Sequence, residues 1–234
     1  MESAKRMKPV NDDEEERSLS AFHFPDLTIK VGNEKLYVNR DQLMAESPVF
    51  RTMLTGNFKE KNAREIELPD KDTTTFALFL RHTLPGFDGL ILSARRILPL
   101  THEYQTQISL EKIDKALASY TGAKESDKLI DDILEAEFFS LPRYLTACIQ
   151  KANLLSPTVL ERNPKFDNIT SDTKSRIFIM KCKAMESETD KCMMVLEKYV
   201  SFLGCKSVDC AHKQKVEEAK TILRQNVFKR DSKC

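Results

Sequence analysis

Tryptophan is absent from the 234-residue sequence, glycine occurs only six times, and no apolar run approaches the ~20 residues that a membrane-spanning helix needs. The N-terminal segment, residues 1–23, is polar and lacks the apolar core of a secretion signal. These absences argue against a membrane protein and predict a helix-rich chain in the cytoplasm or the nucleus. We expect residues 1–23 to form a disordered polar arm.

Residue patterns typical of catalytic sites are missing as well. The chain has no GxxxxGK[ST] loop, no GxGxxG motif after a strand and no GxSxG elbow. Its four histidines lie far apart in the sequence and show no metal-ligand spacing. We therefore predict that the protein is not an enzyme and uses no cofactor.

The six cysteines form no CxxC pair. Cys205, Cys210 and His212 could be considered as zinc ligands, but their spacing matches no structural zinc pattern and a fourth ligand is missing. Free and mostly buried thiols, with no bound metal, are the better interpretation.

Neither sign of charge is in excess, since 37 Lys and Arg balance 36 Asp and Glu to give a net charge of +1. Such a chain has no general attraction to nucleic acid or to an anionic membrane. The mildly basic segment 213–234 keeps nucleic-acid contact open as a minor alternative.

Strand patterns are concentrated near the N-terminus. In DLTIKVG, the apolar residues Leu27, Ile29 and Val31 alternate with polar ones, which predicts a half-buried strand. The turn candidate GNE and the segment KLYVN complete a hairpin, and REIELP predicts a third strand.

Helix signals fill the gap before the third strand and most of the chain after it. Asn39 or Asp41 can cap one short helix, Ser47 followed by Pro48 begins a second, and Gly56 ends it. Pro99 lies inside a later helical pattern, so we expect a kink or a shorter helix there.

The break at Thr121-Gly122 predicts a domain boundary. Beyond it, residues 124–155 show two amphipathic patterns joined by a short turn, which predicts a helical hairpin. A capped helix is expected from Ser171 or Asp172, followed by a last pair centred on Leu196 and Leu223.

One bulky aromatic stands out in a polar connection. Within TGNFKEKNAREIEL, Phe58 has no large apolar neighbour until Ile66. Polar connections normally run over the surface. The aromatic therefore either covers the fold or contacts a partner, and we favour the partner while keeping packing near Met53 and Leu54 as the alternative.

Several motifs in sequence order resemble the BTB (POZ) domain. They are DLTIKV, KLYVNRDQLMAESPVFRTMLTGNFKE, REIELPD and FALFLRHTLPG, with L-x-x-x-SPVFRTML and ILPLTHEYQT the clearest. The resemblance implies an α+β fold, a small mixed sheet covered by helices, followed by an all-α helical extension. The implied organisation is a BTB domain over residues 24–120, a BACK-like helical region over 121–187 and a C-terminal helix pair over 188–234.

The resemblance implies an interaction module, because many BTB domains dock cullin-3 as adaptors of ubiquitin ligases. The family's cullin-binding signature is an apolar residue, any residue and then Glu between the second helix and third strand. Phe58, Lys59 and Glu60 occupy that place.

BTB domains also usually dimerise through their first helices. The family often has His-Lys after the second strand, whereas this chain has Asn39-Arg40. We expect Arg40 to meet Asp26 as a charge pair at the dimer centre. The residues that we assign to the dimer interface are Asp26, Arg40, Leu43, Met44 and Val49. For Phe50 and Met53 we favour a place in the core of the domain instead.

The leading functional interpretation is a homodimeric cullin-3 adaptor. No MATH domain, Kelch repeat or zinc finger follows in this sequence, so the alternative is a scaffold or competitor that oligomerises with other BTB proteins without ligase activity. A transcriptional regulator would have to use the segment 213–233. A potassium-channel tetramerisation domain shares the fold, but the missing membrane span argues against it.

Overall fold

A three-stranded mixed sheet opens the computed structural model, which describes residues 24–84, 93–121, 126–202 and 211–231. Strands β1 (Leu27–Val31) and β2 (Glu34–Val38) pair antiparallel as the predicted hairpin. Strand β3 (Glu65–Glu67) pairs parallel with β1, so the order is β2-β1-β3. Gly32 adopts φ +60 in the hairpin turn, a conformation that glycine reaches without strain. The predicted mixed sheet is therefore present.

Two short capped helices follow, α1 (Arg40–Glu46) and α2 (Pro48–Thr55). Asn39 caps α1 and Ser47 caps α2, each through a side-chain oxygen that accepts a main-chain N–H three residues ahead. The two donor–acceptor distances are 2.9 and 3.1 Å. These bonds satisfy N–H groups that a helix start otherwise leaves unpaired. The caps predicted from the sequence are confirmed, with Asn39 rather than Asp41 in the first.

Three longer helices follow the sheet in the N-terminal half of the chain. They are α3 (Thr73–His82), α4 (Ala94–Glu103) and α5 (Gln107–Ser119). Asp72 caps α3 by accepting the N–H of Thr75 at 2.8 Å. Pro99 lies inside α4, and the helix continues beyond it to Glu103. The proline therefore does not shorten this helix.

Aromatic rings form the centre of the N-terminal core. Phe50 is fully buried and stacks on Tyr104, with ring centroids 4.5 Å apart and an interplanar angle of 11°. Phe76 and Phe79 contact the same Tyr104 ring at 5.7 and 5.5 Å. Ser47 reaches this cluster too, because its hydroxyl donates to the Tyr104 carbonyl at 2.6 Å. The interpretation of Phe50 as a core residue is confirmed.

Further helices follow residue 121 in the chain. They are α6 (Ser126–Phe138), α7 (Pro142–Ala152), α8 (Pro157–Glu161), α9 (Ser171–Phe202) and α10 (Ala211–Asp231), with a 3-10 helix at Pro164–Asn168. Helix α9 is one continuous helix where the sequence suggested two. No helix in the described ranges is long and apolar enough to cross a membrane.

The described residues form two units. The N-terminal unit contains residues within 1–122 together with Glu135–Ala147, and the C-terminal unit contains residues within 123–134 and 148–234. In the N-terminal unit, the buried Asp114 carboxylate accepts the N–H groups of Arg143 and Tyr144 at 3.1 and 2.8 Å. This carboxylate thus caps the start of α7 and anchors it to α5. The arm predicted for residues 1–23 lies outside the described residues, and the predicted domain bounds stay a prediction.

In the C-terminal unit, α9 and α10 pack together. Lys220 donates to Glu197 across the pair and to Glu217 on its own helix, both at 2.9 Å. Cys148 is buried, Cys182 is half-buried and Cys192 is exposed. The thiols of Cys205, Cys210 and Cys234, and with them the zinc alternative, lie outside the described residues.

His82 makes the N-terminal unit sensitive to acid. It is buried, its Nε2 lies 3.3 Å from the Ser93 hydroxyl, and burial followed by the charge of Lys112 lowers the pKa of the imidazole. The unfolded chain therefore takes up a proton on His82 at a higher pH than the folded chain does. The contribution of His82 to the free energy of unfolding is fully present above about pH 6.5 and is lost as the pH drops from there toward the lower folded pKa.

We expect the free energy of unfolding in urea to be smaller at pH 5.5 than at pH 7.5, with a smaller difference in His82→Gln. His212→Gln is the matched control, because His212 is exposed and lies in the C-terminal unit. An unchanged pH dependence in His82→Gln would show that another group is responsible.

Candidate partner-docking groove

Phe58 begins a short turn on the surface of the N-terminal unit. The turn is a 3-10 helix at Lys59–Asn62, and Phe58 precedes it in an extended conformation. Two main-chain bonds close it, from Lys61 N–H to the Phe58 carbonyl at 3.2 Å and from Ala63 N–H to the Glu60 carbonyl at 3.1 Å. We call residues 58–63 the docking turn. Phe58 is 56% exposed, so it is not a core residue, but other residues of the domain cover part of its surface.

Gly56 explains how the Phe58 ring lies against the end of α2. A Cβ at Gly56 would lie 3.0 Å from two carbons of that ring and 2.6 Å from the Thr52 carbonyl oxygen. Gly56 ends α2 as predicted, but with φ −72 it does not use the left-handed conformation of many helix-ending glycines. The glycine is therefore needed for close approach.

A shallow groove of about 430 Å³ runs between Phe58 and α2. One face of α2 forms its wall, because residues one turn apart on a helix share a face. The lining residues are Pro48, Val49, Thr52, Met53, Phe58, Glu60 and Gln105. Gln105 comes from the turn between α4 and α5, where it adopts φ 52. The groove is thus partly apolar, with an aromatic rim.

Glu60 places one negative charge at the rim of this groove. Its side chain is 22% exposed, and the nearest ammonium is that of Lys59 at 3.8 Å. Lys59 itself is 92% exposed and points into solvent. The motif Phe58-Lys59-Glu60 therefore alternates, with its first and third residues at the groove and the middle one outside it.

The predicted charge pair of Asp26 and Arg40 takes a different form. Asp26 accepts the main-chain N–H of Arg40 at 2.7 Å, while the Arg40 guanidinium donates to the carbonyls of Lys61, at 3.0 Å, and Ala63. The two residues are in contact, but the guanidinium points toward the docking turn. Within one copy the guanidinium serves the docking turn, and the charge pair expected at the dimer centre stays a prediction.

The other predicted dimer residues separate by burial. Leu43 is fully buried in the core of its own domain, so it offers no surface to a second copy and is removed from the predicted interface. Met44, the next residue of α1, is half-buried. Val49 is half-buried and lines the groove beside Phe58. Met53 also lines the groove, so its expected place in the core is only partly correct.

An aromatic cluster that the sequence reading missed lies on the same unit. The Phe138 ring is perpendicular to Phe139 at 4.8 Å, and His102 lies 5.4 Å from Phe139 and 6.0 Å from Phe138. Phe138, the last residue of α6, is 71% exposed. Two consecutive phenylalanines at the end of a helix are the signal in the sequence that could have indicated this cluster.

Within the described parts of the chain, no group of three or more His, Cys, Asp or Glu side chains is placed to hold a metal ion. The groove is instead the kind of surface that takes a side chain from another protein. Apolar concavities with an aromatic anchor and a polar rim are typical of the centres of protein–protein interfaces.

Comparisons with known proteins identify the domain that carries this groove. The model of the BTB/POZ domain matches residues 16–119. BTB and MATH domain-containing protein 38 of Caenorhabditis elegans is 23% identical over 65% of this chain and 39% of its own length. Protein 15 of the same series is 28% identical over 58% and 48%. The ARM repeat protein interacting with ABF2 of Arabidopsis thaliana is 38% identical over 53% and 17%. The chain spans less than half the length of each relative.

Proposed function

Because residues 16–119 of this chain are a BTB/POZ domain, a module of protein–protein interaction, we propose that the protein is a cullin-3 adaptor of a ubiquitin ligase. The observation that carries the proposal is the groove beside Phe58. A 56% exposed aromatic side chain, a half-buried carboxylate and an apolar helix face meet there. The adaptor itself performs no catalysis.

The groove supports docking in both directions. Phe58 projects from the rim and can insert into an apolar pocket of cullin-3, while the groove of about 430 Å³ can receive an apolar side chain in return. Glu60 supplies a charged contact at the rim, which orients the partner and speeds association more than it adds affinity. Lys59 faces solvent, which agrees with a middle position that tolerates any residue.

Calorimetry with the purified full chain and purified cullin-3 tests the proposal. Saturable binding that depends on Phe58 is expected. Absence of binding, together with recovery of other BTB proteins from the cells, would contradict the adaptor and favour the scaffold or competitor. Both activities belong to the cytoplasm or the nucleus in this proposal.

The homodimer is a second part of the proposal. After removal of Leu43, the predicted interface residues that stay accessible outside the groove are Asp26, just before β1, and Arg40 and Met44 on α1. An interface there would leave the groove free, since none of these three residues lines it. We expect sedimentation equilibrium to show a dimer at micromolar concentration, with Met44→Asp shifted toward monomer. A wild-type monomer under these conditions would contradict the dimer.

A further inference from the structure

Arg40 connects the start of α1 with the end of the docking turn. Its main-chain N–H is held by the Asp26 carboxylate at 2.7 Å, which fixes the residue at one end. Its guanidinium binds two carbonyl oxygens, those of Lys61 and Ala63, at the other end. Arg40 is only half-buried, so its stem reaches the turn along the surface of the domain.

The docking turn has few bonds of its own. It is a single 3-10 turn, a conformation with poorer hydrogen-bond geometry than the α-helix. The N–H groups of Lys61 and Ala63 bind back to Phe58 and Glu60. Arg40 therefore binds the carbonyls of Lys61 and Ala63. The N–H groups of these same two residues bind Phe58 and Glu60, the proposed contact residues. Charge-assisted bonds such as those from a guanidinium are about twice as strong as neutral ones.

We propose that Arg40 is a positioning residue for partner docking, because its guanidinium holds the docking turn in the conformation that presents Phe58 and Glu60. This inference rests on the proposed function for its binding consequence. A planar guanidinium can serve two carbonyls at once, whereas the ammonium of lysine acts as a point charge. A turn ordered before binding loses less conformational entropy on binding, so pre-ordering strengthens the complex.

The test compares Arg40→Met, Arg40→Lys and a matched control in the full chain. Arg96 is the control because its guanidinium also makes two bonds within the N-terminal unit, to Thr75 at 2.8 Å and to Asp72 at 3.2 Å. We expect amide hydrogen exchange at residues 58–63 to be roughly ten-fold faster in Arg40→Met, and cullin-3 binding roughly ten-fold weaker. Arg40→Lys should be intermediate, and Arg96→Met should match wild type in both measurements.

A double variant separates positioning from direct contact. If Arg40 acts through the turn, Arg40→Met combined with Phe58→Ala should lose less affinity than the sum of the two single losses, because part of the Arg40 effect is carried by Phe58. Additive losses would overturn the positioning role in favour of direct contact. Unchanged exchange at residues 58–63 in Arg40→Met would overturn it as well, as would faster exchange with unchanged cullin-3 affinity. If wild type does not bind cullin-3, the proposed function fails, and the exchange measurement alone decides whether Arg40 orders the turn.

Discussion

Phe58→Ala is expected to weaken cullin-3 binding at least about 30-fold, which corresponds to the ~2 kcal/mol or more of a central interface anchor. The Phe58 side chain is 56% exposed, so a large part of its apolar surface can be removed from water only by a partner. Its intramolecular contacts are with the end of α2 around Gly56. We expect the thermal midpoint to stay within about 2 °C of wild type, since surface substitutions usually change stability by about 0.5 kcal/mol or less.

Calorimetry of the binding and circular dichroism of the melting curve measure the two effects separately. Phe202→Ala is the matched control, because Phe202 is 88% exposed and lies in the C-terminal unit. It should bind cullin-3 as wild type does. Glu60→Gln should give a smaller loss of affinity than Phe58→Ala and a weaker dependence on salt. A large loss of stability in Phe58→Ala, with binding retained per folded molecule, would show that Phe58 serves the fold instead.

Phe50→Ala is expected to affect stability instead of binding, and to lower the free energy of unfolding by about 3–5 kcal/mol. Phe50 is fully buried and stacks on Tyr104 at 4.5 Å, so its removal leaves a cavity within the aromatic cluster. The free energy of unfolding of a globular domain is about 5–15 kcal/mol in total, so this loss is a large share of it. Tyr104 would lose its stacking partner, although Phe76 and Phe79 would still contact its ring.

Urea unfolding followed by circular dichroism measures this loss. Phe50→Leu is the matched control, since it keeps an apolar side chain at the site and should lose less than about 1.5 kcal/mol. The fraction of Phe50→Ala that remains folded should still bind cullin-3, because Phe50 does not line the groove. A loss below about 1 kcal/mol would mean that the core closes over the cavity and that the stacked pair is less important than its geometry suggests.

The two phenylalanines thus form a paired test on one short segment. Phe50 lies within α2 and Phe58 follows its end, and the same substitution is expected to affect stability at one and binding at the other. Local sequence already suggested the difference, because Phe58 stands in a polar connection and Phe50 lies inside an apolar helix pattern. Their difference comes from what packs over each ring, with Tyr104 covering Phe50 and no comparable ring covering Phe58 among the described contacts.

The features predicted correctly from the sequence depend on short-range physics. Alternation of apolar residues predicted β1, and the turn residues after it predicted the hairpin. The caps at Asn39 and Ser47 follow from side-chain oxygens that reach N–H groups three residues away. Such interactions involve neighbours in the chain and need no knowledge of the rest of the fold.

The errors concern residues whose partners lie far away in the sequence. Leu43 was assigned to an interface and is buried, whereas its neighbour Met44 is partly accessible. The contact of the Arg40 guanidinium with the docking turn was not foreseen either, because the carbonyls of Lys61 and Ala63 come within its reach only in the folded domain. Periodicity identifies a helix face, but it does not say which neighbouring element covers that face.

The sequence by itself determined that this protein has a BTB/POZ domain, with a small mixed sheet, two capped helices and a helical extension, because these depend on local propensity and motif order. Only the tertiary structure decided that Phe58 is half-covered at the rim of a groove and that Gly56 allows the ring to approach α2. It also brought Gln105 to that groove and Arg40 to the docking turn. Accessibility is set by the packing of elements distant in the chain, and this packing makes Phe58 a candidate for docking while Phe50 stays in the core.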